Sequence, residues 1–404
     1  MRAERISSQH HSVGLITITA LEIFFAIGAT SSVFAAPIGA KESAIVRMET
    51  KAEQPLRVPT QYPTIQAAIN AAKAGATIEI RPGTYTEQIV VAKDVTLKGA
   101  EGGNTIIKAP STLIPFARDT LSSTPVVAIV GITDGANVRM SGLTVTGPTP
   151  CLGVSGISVV KKSTLDISNS RVTLIRPADL GCPITFRSGG ITIGLPFFIV
   201  IDGEVEGGST GHGTVTHVTI DRFLGTGIAV LAPFAGSPST ATISDNLVNG
   251  GDAGVTVNFA SVARVTGNTI YGTVCTDPAC GPDPINQQQS IGIGATLSPP
   301  GTVITENIVS GNDVGIFLFG SEGCCQTSEN RVIDNRLFGI IIQNGTGTTS
   351  ENEIRGGQVG IGVVAGFVNT VGVLRGDEIH GTTVAPVREL QCCGFKATAI
   401  VKKD

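Results

Sequence analysis

Tryptophan is absent from the 404-residue chain, and tyrosine and methionine number three each. A neutral-sugar cleft built on stacked aromatic platforms would have to draw on phenylalanine alone. A metal-delivery accessory role is disfavoured for a related reason, because methionines are few and only three histidines follow residue 35. Charged residues make up 15% of the chain, against a usual share of about a quarter. So low a share excludes a disordered tail, and the composition is not the Glu-, Lys- and Leu-rich one of a coiled coil. With 28 Lys and Arg against 32 Asp and Glu, the formal net charge is −4, and the basic face needed for nucleic acid is missing. Glycine, at 51 residues, is by contrast well above its ordinary usage.

Residues 1–35 read as a secretory signal. Arg2 and Arg5 form a basic start, an apolar stretch runs from Val13 to Ile27, and Val33-Phe34-Ala35 places small residues where a signal peptidase cuts. The stretch is short and is broken by Glu22, which suits cleavage better than a membrane anchor. Export, and no membrane span after cleavage, is the expectation. A linker, Ala36–Arg57, follows.

All eight cysteines lie beyond that segment, and an even number suits an oxidising compartment. Cys151 and Cys182 flank an irregular stretch, while Cys275 and Cys280 close a short loop. Cys324-Cys325 and Cys392-Cys393 are adjacent pairs, and bonds between the two doublets would pin the C-terminal tail, 386–404, onto the body. A four-thiolate zinc site lacks its usual C-x-x-C spacing here.

From about residue 215 the chain repeats. Asn246, Asn268, Asn307, Asn330 and Asn352 are 22, 39, 23 and 22 residues apart, and one inserted loop accounts for the long step. Between them recurs a Gly-apolar-x-apolar tetrapeptide, at Gly227, Gly254, Gly292, Gly315, Gly339 and Gly360. Its second and fourth residues face inward and its third outward, giving an outer column Ala229, Thr256, Gly294, Phe317, Ile341 and Gly362. A period in the low twenties with short strands and Gly-Asn turns predicts a parallel β-helix, whose coils stack to bury one continuous apolar column. The asparagines are expected at coil corners, each in an unusual backbone conformation and bonded to the amide of the next coil. Coils at 138–145 and 165–169 are looser.

At the start of this array, Thr64 caps a short helix with an apolar face of Ile65, Ala68, Ile69 and Ala72, ended by Gly75. Strands are predicted at Thr77–Ile80 and Gln88–Val91 around the turn Arg81-Pro82-Gly83. The helix plugs the open end of the column.

Residues 58–100 resemble the opening of pectin-lyase-like right-handed β-helix proteins, and Gly83-Thr84-Tyr85-Thr86-Glu87 is similar to the first signature of pectin methylesterases. The later coils resemble generic parallel β-helix repeats of carbohydrate-active and periplasmic accessory proteins. The resemblance covers most of residues 58–385 and implies one all-β, right-handed parallel β-helix. The further carboxylate motifs of pectin methylesterases are missing, so no active site is carried onto Tyr85 or Glu87. Gly211-His212-Gly213 is similar to one polygalacturonase motif, yet the accompanying Asn-Thr-Asp and Asp-Asp are absent, and inverting hydrolysis needs paired carboxylates.

Ionisable residues do crowd one region: Asp202, Glu204 and Glu206 alternate, and His212, His217, Asp221 and Arg222 follow. Aligning Ile220 with Ile270 and Val309 sets Asp221 outward, in line with Tyr271, Ser310 and Arg355. An outward Asp-Arg is similar to pectate-type lyases, in which carboxylates hold Ca²⁺ and an arginine takes the proton α to the acid; these residues are the catalytic candidates, and Ca²⁺ is the one cofactor such chemistry would imply. The first reading is an exported binding or display protein for a polysaccharide. The second is a polysaccharide lyase or hydrolase acting on an acidic polymer.

Overall fold

The structure, a computed structural model, describes residues 54–402 apart from 119–124, 151–152, 179–188, 196–198, 202–203, 207–208, 234–236, 276–279, 284–285 and 321. The expected signal segment, most of the linker, and Cys151, Cys182 and Asp202 lie outside the described residues.

Parallel strands stack in register to form a solenoid with three strands to a coil. One regular coil consists of Thr226–Ala232, Thr240–Ser244 and Leu247–Asn249, and the next of Ala253–Phe259, Val262–Thr266 and Thr269–Tyr271. Like strands pair in parallel from coil to coil. In the looser coils the last two strands run together as Ser163–Thr173 and Gly211–Asp221, bent at the left-handed residues Asn169 and His217. Among the described residues no helix is long and apolar enough to cross a membrane.

The Gly-apolar-x-apolar repeat explains the core. Ile228, Val230, Val255, Val257, Ile293, Ala295, Ile316, Ile340, Ile342, Ile361 and Val363 are almost wholly buried. Each buried Ile or Val contributes about 1.5–3 kcal/mol, and none could be covered without the neighbouring coil. The third positions form a column through Ala229, Thr256, Gly294, Phe317, Ile341 and Gly362. Its C-terminal part is not bare: Ile341 is covered within a second apolar cluster with Leu337, Phe338 and Val364, against which Phe317 and Leu390 pack.

The asparagines form the expected ladder. Each is buried, and from Asn246 to Asn330 each Nδ2 donates to the Oδ1 of the asparagine one coil on at 2.9–3.0 Å. The unusual backbone, however, belongs to the residue before. Asp245, Gly267, Glu306, Glu329 and Glu351 have φ between 56° and 68°. The left-handed turn aims the following Asn side chain into the stack, where its amide replaces backbone partners lost at the corner.

At the N-terminal end, helix Ile65–Ala71 buries Ile65, Ala68 and Ile69, with the Thr64 hydroxyl accepting from the Ala67 N–H at 3.1 Å. Glu87 completes the cap, its two oxygens accepting from the N–H groups of Ile65 and Gln66 at 2.9 and 3.0 Å. The last residue of the Gly-Thr-Tyr-Thr-Glu block is thus a helix cap, which accounts for it structurally.

The solenoid extends beyond the expected limits at both ends. Strand Leu56–Val58, whose first two residues lie in the span read as linker, pairs with Ala76–Ile80. Ala385–Gln391 and Ala397–Lys402 pair with Val359–Ala365 and Thr370–Arg375, so the expected tail is a further coil. Strand pairing, not disulfide bonding between the doublets, holds this coil. The cysteines bond within each doublet, Cys324 to Cys325 and Cys392 to Cys393, and Cys275 bonds to Cys280. The doublets lie on different parts of the coil, one buried in strand Glu322–Ser328 and the other in the turn after Gln391, and no thiolates remain for a zinc site among the described cysteines.

Candidate functional site

The register separates the residues that are neighbours in sequence. Glu204–Glu206 pairs antiparallel with Ile199–Ile201 alone, in a two-stranded sheet apart from the stack. His212 belongs to the face that continues into Thr240–Ser244, with its Nδ1 2.8 Å from the Thr240 hydroxyl. His217 occupies the bend, with φ 52° and its Nδ1 3.5 Å from the Thr216 hydroxyl. Asp221 lies past the bend, on the next face, so the two histidines are not part of its surroundings.

Asp221 and Arg222 instead meet two residues from the previous coil. The pairing of Ser163–Thr173 with Gly211–Asp221 sets Thr173 beside Asp221 and Arg171 beside Thr219. Alternate residues of a strand share a face, so Arg171, Thr173 and Asp221 all point outward. Arg171 Nη2 and the Thr173 hydroxyl each donate to one Asp221 oxygen. Arg222 Nε donates to the same Asp221 Oδ1 at 3.3 Å and its Nη2 to Thr173 Oγ1 at 3.0 Å. Burial alone would raise the Asp221 carboxyl, but the bonds from Thr173, Arg171 and Arg222 and the Arg171 charge outweigh it and hold it below the ordinary carboxylate range. Coil alignment was the signal that could have found Arg171 and Thr173, since Val172 answers Ile220 as Ile220 answers Val248.

Because the folded value is lowered, the ion pair's contribution is fully present above the unfolded value and is lost only as pH falls through the folded one. Urea unfolding of the protein and of Asp221→Asn should differ by a constant amount from pH 7 to pH 4 and converge below that range. Convergence already at pH 5 would contradict the pairing.

This cluster borders a depression of about 490 Å³, lined by Arg171, Arg176, Asp221, Arg222, Asn249 and Val274 among others. Three guanidinium groups there face one carboxylate, which leaves the corner cationic. Arg176 has no ion-pair partner among the described residues. A second depression of about 590 Å³ shares Val274 and continues along the same row of turns to Asp313, Asp334 and Arg336.

The chemistry open to this corner is narrow. Asp221 is fully ionised and both its oxygens are engaged, so it has no proton to give as a general acid. It is the one carboxylate among the described lining residues, whereas glycoside hydrolysis uses two. Ca²⁺ does not fit either: the Asp221 oxygens are taken, and among the described residues no three His, Cys, Asp or Glu side chains gather to hold a metal ion. Arginines with free N–H groups around a half-open hollow are well suited to holding a carboxylate.

Residues 205–372 match the family described as right handed beta helix region. A lacto-N-biosidase from Eubacterium ramulus superposes with a TM-score of 0.54 at 12% identity, over 83% of this chain and 64% of that one. The enzymatically active domain of tailspike protein 2 from Bacteriophage CBA120 superposes with a TM-score of 0.50 at 12% identity, over 82% and 51%. The A-module of mannuronan C-5 epimerase AlgE4 from Azotobacter vinelandii gives 0.45 at 14% identity, over 84% and 91%. The chain therefore spans less than two thirds of the first two structures. No curated protein matches it. At these identities the likeness is one of fold, and with the matched region it shows that the chain is a right-handed parallel β-helix protein.

Proposed function

We propose that this is an exported β-helix protein that binds an acidic polysaccharide at the corner formed by Arg171, Arg176 and Arg222, and that it binds rather than cleaves. The observation carrying this reading is three guanidinium groups around one hollow with a single, fully engaged carboxylate between them. A carboxylate ligand would meet the outward N–H groups of Arg222, whose side chain is 54% exposed, and of Arg176. Export rests on the N-terminal pattern of residues 1–35 and on the disulfides, which form in oxidising compartments. The fold, shared with a lacto-N-biosidase, lends itself to long ligands because every coil repeats the same surface.

The test is retention of the purified protein on immobilised pectate, alginate, an acidic heteropolysaccharide and neutral xylan, with product release followed at 235 nm and by reducing ends. Retention on at least one acidic polymer, released by salt and weakened about tenfold or more in Arg176→Ala/Arg222→Ala, is the expected result. A Ca²⁺-dependent rise at 235 nm that disappears in Arg222→Ala would replace the binding reading with a lyase. Equal retention on xylan, unchanged in the double variant, would move the ligand elsewhere.

A further inference from the structure

The turns that follow the third strand carry a left-handed residue at the same place in successive coils from Leu174 (φ 57°) to Gly381 (φ 67°), and five of these residues border the two depressions. These are Arg222 (φ 55°), Gly250 (99°), Gly272 (69°), Gly311 (67°) and Asp334 (51°). They directly follow the registered column Asp221, Asn249, Tyr271, Ser310 and Ile333, so they form a row of their own. Within the stretch that borders the depressions, a cationic side chain stands at one end and an anionic one at the other. Three glycines between them leave a floor of bare backbone. Four steps at about 4.8 Å make the stretch from Arg222 to Asp334 about 19 Å long, which an extended tetrasaccharide would span.

The two depressions that meet at Val274 lie along this row. Their charges differ. The first has three guanidinium groups and one carboxylate. The second has Asp313 and Asp334 against Arg336 alone, and Asp313 is already bonded to Arg336 at 2.6 Å. Asp334 is exposed and has no ion-pair partner among the described residues. Beside the glycine floor stand the Asn249 amide and Tyr271, which is 37% exposed, and these suit the hydroxyls and ring face of an uncharged sugar.

Resting on the polysaccharide reading above, we infer that the trough takes a glycan stretch with one acidic sugar over Arg222 and neutral sugars along the glycines. That is the pattern of an acidic heteropolysaccharide. A polyuronate has an acid on every sugar and would set one of them against Asp334, and like charges at contact distance in water repel enough to change affinity several-fold.

Calorimetric titration with two probes tests this: tetragalacturonate, and xylotriose bearing one glucuronic acid. The one-acid probe should bind about fivefold more tightly at physiological salt. Asp334→Asn should strengthen tetragalacturonate by a similar factor and leave the one-acid probe unchanged. Gly311→Asn places a side chain on the floor at a site that asparagine tolerates, its Cβ meeting nothing nearer than Gly272 N at 3.7 Å. It should weaken the one-acid probe tenfold or more while lowering the thermal midpoint by only about a few degrees, the cost of an asparagine at φ 67°. Tighter binding of tetragalacturonate in both the protein and Asp334→Asn would overturn the inference, as would an unaffected Gly311→Asn. If the polymers are retained but neither probe binds, this inference alone falls. Loss of retention on every polymer would sink the broader reading instead.

Discussion

Gly315→Ala is expected to destabilise the protein by about 3 kcal/mol or more, while Gly294→Ala, one coil earlier, should cost about 0.5 kcal/mol or less. Gly315 opens its tetrapeptide where the chain turns into the strand. A Cβ there would stand 2.5 Å from Val332 Cγ1, 2.6 Å from the Gly339 carbonyl oxygen and 2.9 Å from Asn335 Nδ2. The valine could rotate, but the carbonyl belongs to the neighbouring coil and moves only if the coils separate. Gly339 and Gly360 repeat this arrangement, each approached by the carbonyl of the next coil at 2.5–2.7 Å, so the row permits close stacking only as glycine. At Gly294 a Cβ points outward and meets Ile291 Cγ2 at 3.6 Å and Thr256 Cγ2 at 3.7 Å, ordinary contacts. Stability in a solenoid is a sum of coil and interface terms, so hydrogen exchange across strands Ile291–Thr296 to Phe338–Gln343 should localise the effect. Equal effects of the two substitutions would refute this account of the glycine row.

That row, and the asparagine spacing, were legible because a repeat states its own geometry many times over. Once Asn246, Asn268, Asn307, Asn330 and Asn352 were aligned, their stacking followed, and with it the outward setting of Asp221 in line with Tyr271, Ser310 and Arg355. The candidate site was less legible. Residues close in sequence, such as His217 and Asp221, are parted by a bend that reads as continuous strand, and the bend is made by a non-glycine residue with φ 52°. The partners that matter, Arg171 and Thr173, are respectively 50 and 48 residues from Asp221. They belong to a coil one step of 48 residues before Asp221, about twice the period of the later coils, so the regular spacing does not reach them. The ends were hidden for another reason. The last coil, Ala385–Lys402, carries charged residues on strands that have a neighbour on one side only, which dilutes the apolar pattern that marks a coil.

The asparagine ladder leads to the second large effect, and from side chain to side chain it runs in one direction. From Asn246 to Asn352, each backbone N–H and each Nδ2 donates to the side-chain Oδ1 of the next coil, while each Nδ2 also donates to a backbone carbonyl of the preceding coil. The last acceptor is a carboxylate: Asp377 Oδ1 takes the Asn352 N–H at 3.1 Å and Nδ2 at 2.7 Å, and its Oδ2 takes the Thr349 hydroxyl at 2.6 Å. An acid fits there because the position only accepts. At Asn307 the same change should be severe. Its Nδ2 donates to Asn330 Oδ1 and to the carbonyls of Val265 and Thr305, and the residue is fully buried. Asn307→Asp would turn that nitrogen into an oxygen facing three acceptors and bury an unpaired charge, with an expected loss of about 3–5 kcal/mol. Asp377→Asn keeps Oδ1 as the acceptor for Asn352 and loses only the oxygen facing Thr349, at a cost of about 1 kcal/mol. Denaturant unfolding of the two variants beside the parent protein would rank them. If Asp377→Asn proved the more damaging, the ladder would be drawing its strength from the terminal charge and not from the directed run of amides.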